Sequence, residues 1–260
     1  MPPSAALDAH PGGAADRIAA RADGHHPLVV SGAVLVAGYV AVTAAMLLVG
    51  VLVAKLFLDH GVNAFDEAIT DWLVARRTAL LNDVTEYATY LANTEPVVGI
   101  AAVVTAILLA FRRWREAIFL TSGLVIELFV FLTVNYVIAR PRPDVERLND
   151  TPATSSFPSG HAAASLVLWV SIALIVAAVT PNMVARVVAW VPVATLVWLV
   201  PVARVYRGMH HTTDVLAGLA LGAGALGVGC LVARTWQAAN QRRHAQVEER
   251  PLPEMASAAR

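Results

Sequence analysis

The sequence predicts an all-α, polytopic membrane protein in which six transmembrane helices form a bundle. Of the 260 residues, 57% are hydrophobic and 15% are charged, whereas an average soluble domain has about 25% charged residues. Apolar runs of about 20 residues, the length with which a helix crosses the hydrocarbon core of a bilayer, recur along the chain. The formal net charge is zero, so the composition argues against a nucleic-acid partner. We therefore expect the lipid bilayer to surround most of this chain.

The membrane domain is predicted to occupy residues 28–234, between two tails. Its six spans are expected at residues 29–57, 91–111, 117–138, 162–180, 184–203 and 214–234. The second span has a short apolar core and must borrow residues 87–93. Residues 1–27 and 235–260 lack apolar periodicity, which predicts a disordered tail at each end.

The segment 62–90, between the first two spans, has apolar residues at helical spacing: Phe65, Ile69, Trp72 and Leu73. This pattern indicates an amphipathic helix that lies in the membrane interface. A plain extracytoplasmic loop is the alternative.

The distribution of arginine predicts which side each loop faces. Cytoplasmic loops of membrane proteins are enriched in Lys and Arg, and one set of connections carries Arg112, Arg113, Arg115, Arg234, Arg242 and Arg243. We therefore expect a multi-pass protein of the cell (plasma or inner) membrane, with both termini cytoplasmic and loops 139–160 and 204–213 extracytoplasmic. These two outer loops nevertheless carry five arginines, which indicates that they bind an anion: Arg140, Arg142, Arg147, Arg204 and Arg207.

A short motif at the start of the fourth span predicts an anion-binding site. Pro158, Ser159, Gly160 and His161 stand where a helix begins, so the free backbone N–H groups of its first turn are expected to point into the loop. Glycine lets an anion approach the backbone closely. His161 can hold or release a proton near neutral pH.

Two further clusters supply a nucleophile and cations. His210 and Asp214 are four residues apart and share one face of a helix. The carboxylate can then orient the imidazole and leave its other nitrogen free to attack. Arg142 and Arg204 carry planar guanidinium groups that suit bidentate contacts with phosphate.

The three clusters resemble the motifs of the type 2 phosphatidic-acid phosphatase superfamily. The family patterns are Lys-x6-Arg-Pro, Pro-Ser-Gly-His and Ser-Arg-x5-His-x3-Asp. The corresponding residues in this chain are Asn135-x6-Arg142-Pro143, Pro158 to His161, and Ala203-Arg204-x5-His210-x3-Asp214. The resemblance implies a helical core like that of acid phosphatases and vanadium-dependent haloperoxidases. It also implies an integral membrane lipid phosphatase with an extracytoplasmic site.

The resemblance further implies a role for each motif residue. His210 attacks phosphorus and forms a phosphohistidine, Asp214 orients His210, and His161 protonates the departing lipid oxygen. The phosphoryl oxygens are held by Arg142, Arg204, Ser159 and Gly160. Guanidinium groups and helix N-termini supply the charge stabilisation that metals supply elsewhere, so neither a metal nor another cofactor is expected.

The substrates that the resemblance implies are phosphorylated lipids: polyprenyl pyrophosphates, phosphatidic acid and phosphatidylglycerol phosphate. An outward site fits the recycling of a polyprenyl carrier. Phosphotransfer to a second lipid would use the same phosphohistidine and stays open as an alternative. A transporter or lipid-binding relative without turnover is the alternative from another class.

Two positions depart from the family pattern. Asn135 stands in place of lysine and brings no charge, and Ala203 stands in place of serine, so that one hydroxyl donor is absent. A lost hydrogen bond to a charged oxygen typically costs about 1.5–3 kcal/mol. Our hypothesis is that Arg140 takes the place of the lysine at the phosphate, while Asn135 can still donate a hydrogen bond.

Two further groups have other interpretations. A zinc site could be built from His161, His210, His211 and Asp214. It is disfavoured because several arginines must crowd the same space. Glu127 lies inside the third span, where a carboxyl group is costly. We expect it to have a buried partner or to be protonated, away from the outer site, rather than to act in catalysis.

Overall fold

The computed structural model describes residues 7–53, 61–150 and 154–248, and every regular element within these ranges is helical. The helices in chain order are α1 (Ala14–Arg21), α2 (Pro27–Val51), α3 (Val62–Val74), α4 (Ala79–Tyr90), α5 (Thr94–Ala110), α6 (Trp114–Ile138), α7 (Gly160–Val179), α8 (Met183–Tyr206) and α9 (Thr212–Glu248). The all-α prediction is confirmed.

Five of these helices are long and apolar enough to cross a membrane, namely α2, α6, α7, α8 and α9. The helices α4 and α5 make a sixth span when they are taken together, across a bend of 45°. This bent pair corresponds to the predicted second span, whose apolar core was too short alone. Residues 54–57 of the predicted first span lie outside the described residues.

The bundle packs around three helices, because α6, α7 and α9 all contact one another. Their facing side chains are fully or almost fully buried and include Phe119, Ile126, Val130, Leu168 and Leu221. Lipid tails are as apolar as these side chains, so close van der Waals packing, rather than removal from water, holds such helices together.

Two glycines let α9 approach the start of α7. A Cβ atom added at Gly218 would lie 2.3 Å from the carbonyl oxygen of Ser159, and one added at Gly222 would lie 2.9 Å from that of Ala163. Only glycine permits this spacing. As a result the N-termini of α7 and α9 lie side by side, and the Ser159 N–H donates to the Asp214 carbonyl oxygen at 3.0 Å.

The connections beside these N-termini turn sharply. The residue after α6, Ala139, has a φ of +50° in the left-handed region, and the prolines at 141 and 143 cannot continue the helix. Between α8 and α9, Gly208 has a φ of +71°, a conformation that glycine adopts without steric cost. We call the end of the bundle that carries these connections the motif end.

The segment between the first two spans is helical at α3, as its apolar spacing predicts. Phe65 and Trp72 are exposed. Ile69 and Leu73 pack against buried residues of α7, α8 and α9. Asp66, on the same helix, is fully buried.

Parts of both tails are helical where disorder was predicted. The helix α1 lies in the N-terminal tail, and α9 continues to Glu248. Ala19 of α1 is buried beside Ala238 and Ala239 of α9, and Arg242 forms an ion pair of 2.7 Å with Asp16. Each tail thus supplies the surface that orders the other. The prediction of disorder is wrong for residues 14–21 and 235–248, because it considered each tail alone.

Candidate active site

A cavity of about 760 Å³ lies among α5, α6 and α7 and extends to the motif end. At that end its lining is polar and consists of Arg142, Thr154, Ser155, Gly160, His161, Arg204 and His210. Towards the middle of the bundle the lining comes mainly from apolar residues of α5 and α6. Five motif residues from three separate parts of the sequence therefore meet at one cavity.

His210 is held as a neutral imidazole. Its Nδ1 lies 2.7 Å from the carbonyl oxygen of Ser156, so Nδ1 carries the proton and donates it, and the lone pair of the neutral ring is on Nε2. Burial, together with the positive charges of Arg204 and Arg142, holds the pKa of His210 well below its usual value. A buried, unprotonated imidazole next to cations is a suitable nucleophile.

Asp214 is not the direct partner of this imidazole. Its Oδ2 is 4.0 Å from Nδ1 of His210, beyond hydrogen-bond distance, and instead accepts the backbone N–H of His211 at 2.8 Å. Its Oδ1 accepts a hydrogen bond of 2.6 Å from Arg140. The carboxylate therefore fixes the backbone of the turn that carries His210, while the Ser156 carbonyl orients the ring.

Arg140 belongs to a buried ion-pair network and does not line the cavity. Besides Asp214, its guanidinium donates to Asp66 at 2.9 Å and to the Thr213 hydroxyl at 2.8 Å. Asp66 also accepts the backbone N–H and the hydroxyl of Thr213, at 2.9 and 2.6 Å. The hypothesis that Arg140 replaces the family lysine at the phosphate is wrong, because two carboxylates already bind its guanidinium.

Asn135 also forms its hydrogen bonds with a loop and does not line the cavity. Its Nδ2 donates to the carbonyl oxygens of Ser155 and Phe157, at 3.0 and 3.2 Å, and its Oδ1 accepts the Ser155 N–H at 3.1 Å. These bonds hold the loop that carries the Ser156 carbonyl. The predicted hydrogen bond from Asn135 to phosphate therefore disagrees with the structure.

The two residues at the start of α7 differ in their exposure to the cavity. The hydroxyl of Ser159 is buried and has no hydrogen-bond partner among the described residues. Ser159 is not among the residues that line the cavity, and its contact with phosphate stays a prediction. Gly160 does line it.

Arg204 and Arg142 supply the positive charge of the cavity. Arg204 is 3% exposed, and no hydrogen bond or ion pair joins its guanidinium to another described residue. Arg142 donates to the Met209 carbonyl, while its Nε has no partner within the described ranges. Burial and the nearby Arg147 lower the pKa of Arg142. A buried cation without a carboxylate partner is unfavourable until an anion joins it.

His161 has a partner that sequence reasoning missed. Its Nε2 lies 2.9 Å from Oδ1 of Asn93, and an amide oxygen only accepts, so Nε2 carries a proton. Asn93 precedes α5 at the bend of the second span. The sequence signal was the polar break in a run that otherwise has to be apolar, and the same holds for Asp66 within the apolar stripe of α3.

Glu127 lines the same cavity, contrary to the expectation that it lies away from the site. It is 6% exposed, and among the described residues it has no hydrogen-bond or ion-pair partner. Of the two alternatives predicted for Glu127, a buried partner is absent from the part of the chain that the structure describes, and a protonated carboxyl group stays a prediction.

The alternative zinc site lacks the required arrangement. Within the described residues no group of three or more His, Cys, Asp or Glu side chains is placed to hold a metal ion. The Nε2 of His211 lies 3.3 Å from the Pro141 carbonyl oxygen, and Asp214 is bound by Arg140.

Fold and site together define a class of protein, an all-helical membrane protein with a cationic, histidine-containing site at one end of an apolar cavity. The family model of the PAP2 superfamily matches residues 116–238 of this chain, a range that includes all three motifs. Together with the relatives described below, this match assigns the chain to the phosphatases.

Individual relatives agree with this assignment. A phosphatidylglycerophosphatase B of Bacillus subtilis is 26% identical over 172 residues, which cover 66% of this chain and 84% of that protein. An undecaprenyl-diphosphatase of Sulfolobus acidocaldarius is 36% identical over 125 residues, which cover 46% of this chain and 56% of that protein.

The crystal structure of a transmembrane PAP2-type phosphatidylglycerolphosphate phosphatase from Bacillus subtilis has a similar fold. It matches with a TM-score of 0.60 at 21% identity, over 81% of this chain and 98% of that one. At this identity the likeness shows the fold alone.

Proposed function

We propose that this protein hydrolyses a phosphate monoester or pyrophosphate of a lipid through a phosphohistidine intermediate, without a metal. The observation that carries the proposal is Arg204, a buried guanidinium that lines the cavity and has no carboxylate partner among the described residues. Phosphate oxygens suit the planar donors of Arg204 and Arg142 together. Positive charge fixed in a low-dielectric site stabilises the transition state of phosphoryl transfer.

In the first step, Nε2 of His210 attacks phosphorus and the bond from phosphorus to the lipid oxygen breaks. The Ser156 carbonyl oxygen accepts a hydrogen bond from the Nδ1–H of His210, which keeps the lone pair on Nε2 and stabilises the positive charge that the ring acquires. The bound phosphate anion favours the protonated form of His161, which gives a proton to the departing oxygen. Arg142 and Arg204 hold the phosphoryl oxygens.

In the second step, water attacks the phosphohistidine. His161 is now neutral and takes a proton from that water, which restores its protonated form for the next turnover. The bond from phosphorus to Nε2 breaks, and His210 returns to the neutral state that its burial favours. His161 therefore regains in the second step the proton that it gives up in the first.

The apolar part of the cavity supports a lipid rather than a soluble phosphate ester. Its lining includes Val97, Ala101, Leu124, Leu128 and Phe131. A lipid whose phosphate lies at the motif end can keep its tail in apolar surroundings, which avoids a cost of about 0.8 kcal/mol for each methylene brought into water. The names of the relatives make phosphatidylglycerol phosphate and undecaprenyl diphosphate candidate substrates, beside phosphatidic acid.

The arginine distribution supports an extracytoplasmic site. Arg112 and Arg113 lie in the connection from α5 to α6, at the opposite end of the bundle from the motif end. If that connection is cytoplasmic, as the positive-inside rule favours, both termini lie on the cytoplasmic side of the membrane and the motif end faces the extracytoplasmic side.

The test is phosphate release by purified protein in detergent, with a panel of lipid phosphates and EDTA. We expect release to survive chelation and to be lost in His210→Ala and in His161→Ala. His25→Ala is the matched control, because His25 is exposed at the opposite end of the bundle. Acid-labile, base-stable label on the protein would identify the phosphohistidine. Activity that needs a metal, or that persists in His210→Ala, would contradict the proposal.

A further inference from the structure

Glu127 is an unpartnered carboxyl group in the apolar part of the catalytic cavity. It is 6% exposed, it lines the cavity from α6, and no hydrogen bond or ion pair joins it to another described residue. Its neighbours in the lining are apolar, among them Leu124, Leu128 and Phe131. Burying a polar group without a partner is costly, and ionisable groups inside membrane helices usually serve a function.

The packing of α6 on α7 fixes the depth of Glu127 relative to the phosphate site. Phe131 lies at the level of the α7 N-terminus, since a Cβ atom added at Gly160 would be 3.0 Å from its ring. Gly123 lies opposite Val167, at 3.3 Å by the same measure. Glu127 is midway between these two levels on α6, about 6 Å along the helix axis from Phe131. It therefore lies about one helical turn below the phosphate-binding residues.

We propose that Glu127 is a subsite for the polar linker of a glycerolipid phosphate, so that the preferred substrate is an acylated glycerol phosphate rather than a polyprenyl phosphate. The inference rests on the proposed function. In a glycerolipid phosphate, ester groups follow the phosphate within a few bonds and reach the level of Glu127. In a polyprenyl phosphate, hydrocarbon follows the phosphate directly.

The chemistry of the two substrate classes gives the selectivity. A carboxyl group in its protonated form donates a hydrogen bond to an ester carbonyl and also accepts one. A hydrocarbon chain offers no such partner, so Glu127 stays unsatisfied when a polyprenyl chain fills the cavity. A site built to hydrogen-bond its substrate rejects an analogue that lacks the group, because the buried polar atom is then left unpaired.

The experiment measures kcat/KM for a diacylglycerol phosphate, its dialkyl ether analogue and a polyprenyl phosphate, in the same detergent. The variants are Glu127→Leu, which removes the hydrogen-bonding group, and Glu127→Gln, which retains one of similar shape. Thr121→Val is the matched control on the same helix and cavity, because the Thr121 hydroxyl is already bonded to the Ala117 carbonyl at 2.8 Å. Leucine suits the apolar lining, so Glu127→Leu is expected to fold.

We expect the unsubstituted protein to prefer the diacyl substrate. In Glu127→Leu the ratio of kcat/KM for the diacyl substrate to that for the polyprenyl substrate should fall about tenfold, which corresponds to about 1.4 kcal/mol. Glu127→Gln and Thr121→Val should retain the ratio. The ether analogue should be a poorer substrate than the diacyl lipid for the unsubstituted protein, and about equal to it for Glu127→Leu.

Three results would overturn the inference. They are a preference of the unsubstituted protein for the polyprenyl substrate, an unchanged ratio in Glu127→Leu, and equal losses on both substrates, which would indicate proton delivery or a structural role. If the unsubstituted protein released phosphate from none of the lipids, the proposed function itself would be wrong, and the inference about Glu127 would be wrong as well.

Discussion

Arg140 and Arg204 are equally buried, at 3% exposure each, but only one of them has anionic partners in the protein. Arg140 contacts Asp214 and Asp66 at 2.6 and 2.9 Å. Arg204 contacts no carboxylate of the described residues and lines the cavity. A buried cation that is fully paired stabilises local structure, whereas one that lacks an anion is arranged to bind one. Both arginines lie in motif segments, and only their partners distinguish the structural residue from the functional one.

Removing the paired arginine is expected to give the largest change. Breaking a buried ion pair by removing one partner typically costs about 3–5 kcal/mol. Arg140→Met should lower the free energy of unfolding by about this amount, because Asp66 and Asp214 then lie buried without their cation. Denaturant unfolding in detergent measures it, and adding Asp66→Asn to the variant should recover part of the loss. An Arg140→Met protein of unchanged stability would show that the network is not structural.

Removing the unpaired arginine should affect catalysis instead. Loss of one preorganised donor to a developing anion typically lowers kcat by about 10²–10³-fold, and we expect this of Arg204→Met. The free energy of unfolding should not fall, since the variant removes a buried charge that has no protein partner. Arg204→Lys, which keeps the charge but loses the planar donors, should recover only part of the rate. A variant with normal turnover and reduced stability would reverse the assignment of the two arginines.

The motifs predicted which residues come together at the motif end, but not which of them form hydrogen bonds and ion pairs with one another. His161, His210, Arg142, Arg204 and Gly160 were identified from local spacing, because each stands at a helix end or in a turn on the same side of the bundle. The partners of Arg140 depend on packing between distant segments, since Asp66 lies 74 residues away in sequence. The place of Asp66 within the apolar stripe of α3 marks it as unusual, but no local pattern indicates that its partner is Arg140.

In the fold, too, local sequence predicted some elements and packing decided others. Hydropathy located α6, α7, α8 and the start of α9 closely, because the thickness of a bilayer sets the length of an apolar helix. The helix α1 and the end of α9 were missed, because each is ordered by contact with the other. Glu127 was recognised as unusual from its position in a span. Its place in the cavity depends on how α6 packs on α7.

Arg204 and Arg142 also lower the pKa of His210, in the turn beside them. The pKa values of His210 and His211 are lowered in the folded protein, chiefly by burial, whereas an unfolded histidine has a pKa of about 6.5. Below that pH the unfolded state binds more protons than the folded state. The contribution of these histidines to stability is therefore fully present above about pH 6.5 and is lost as the pH falls.

The thermal midpoint between pH 7.5 and 5 measures this effect. Each histidine contributes at most about 1.4 kcal/mol per pH unit, so replacing both His210 and His211 by Gln should flatten the profile. Arg204→Met removes a cation that lowers the pKa of His210 and should flatten it in part. A midpoint that rises as the pH falls would contradict the direction of these shifts.

The smallest expected effect concerns the two imidazoles, which differ in their partners as the two arginines do. His210 is held by a backbone carbonyl, which substitution cannot remove, whereas His161 is held by the side chain of Asn93 at 2.9 Å. A single neutral hydrogen bond contributes about 0.5–1.5 kcal/mol, so Asn93→Ala should lower kcat by up to about tenfold and leave KM nearly unchanged. Asn93→Asp, which keeps the acceptor oxygen, should recover rate and move the pH dependence of kcat to higher pH, because a carboxylate favours protonated His161.

The matched control is Asn182→Ala, since Asn182 caps α8 by accepting the Ala185 N–H at 3.1 Å and should affect stability without changing kcat. Equal effects of both substitutions on kcat would mean that Asn93 acts through helix capping and not through His161.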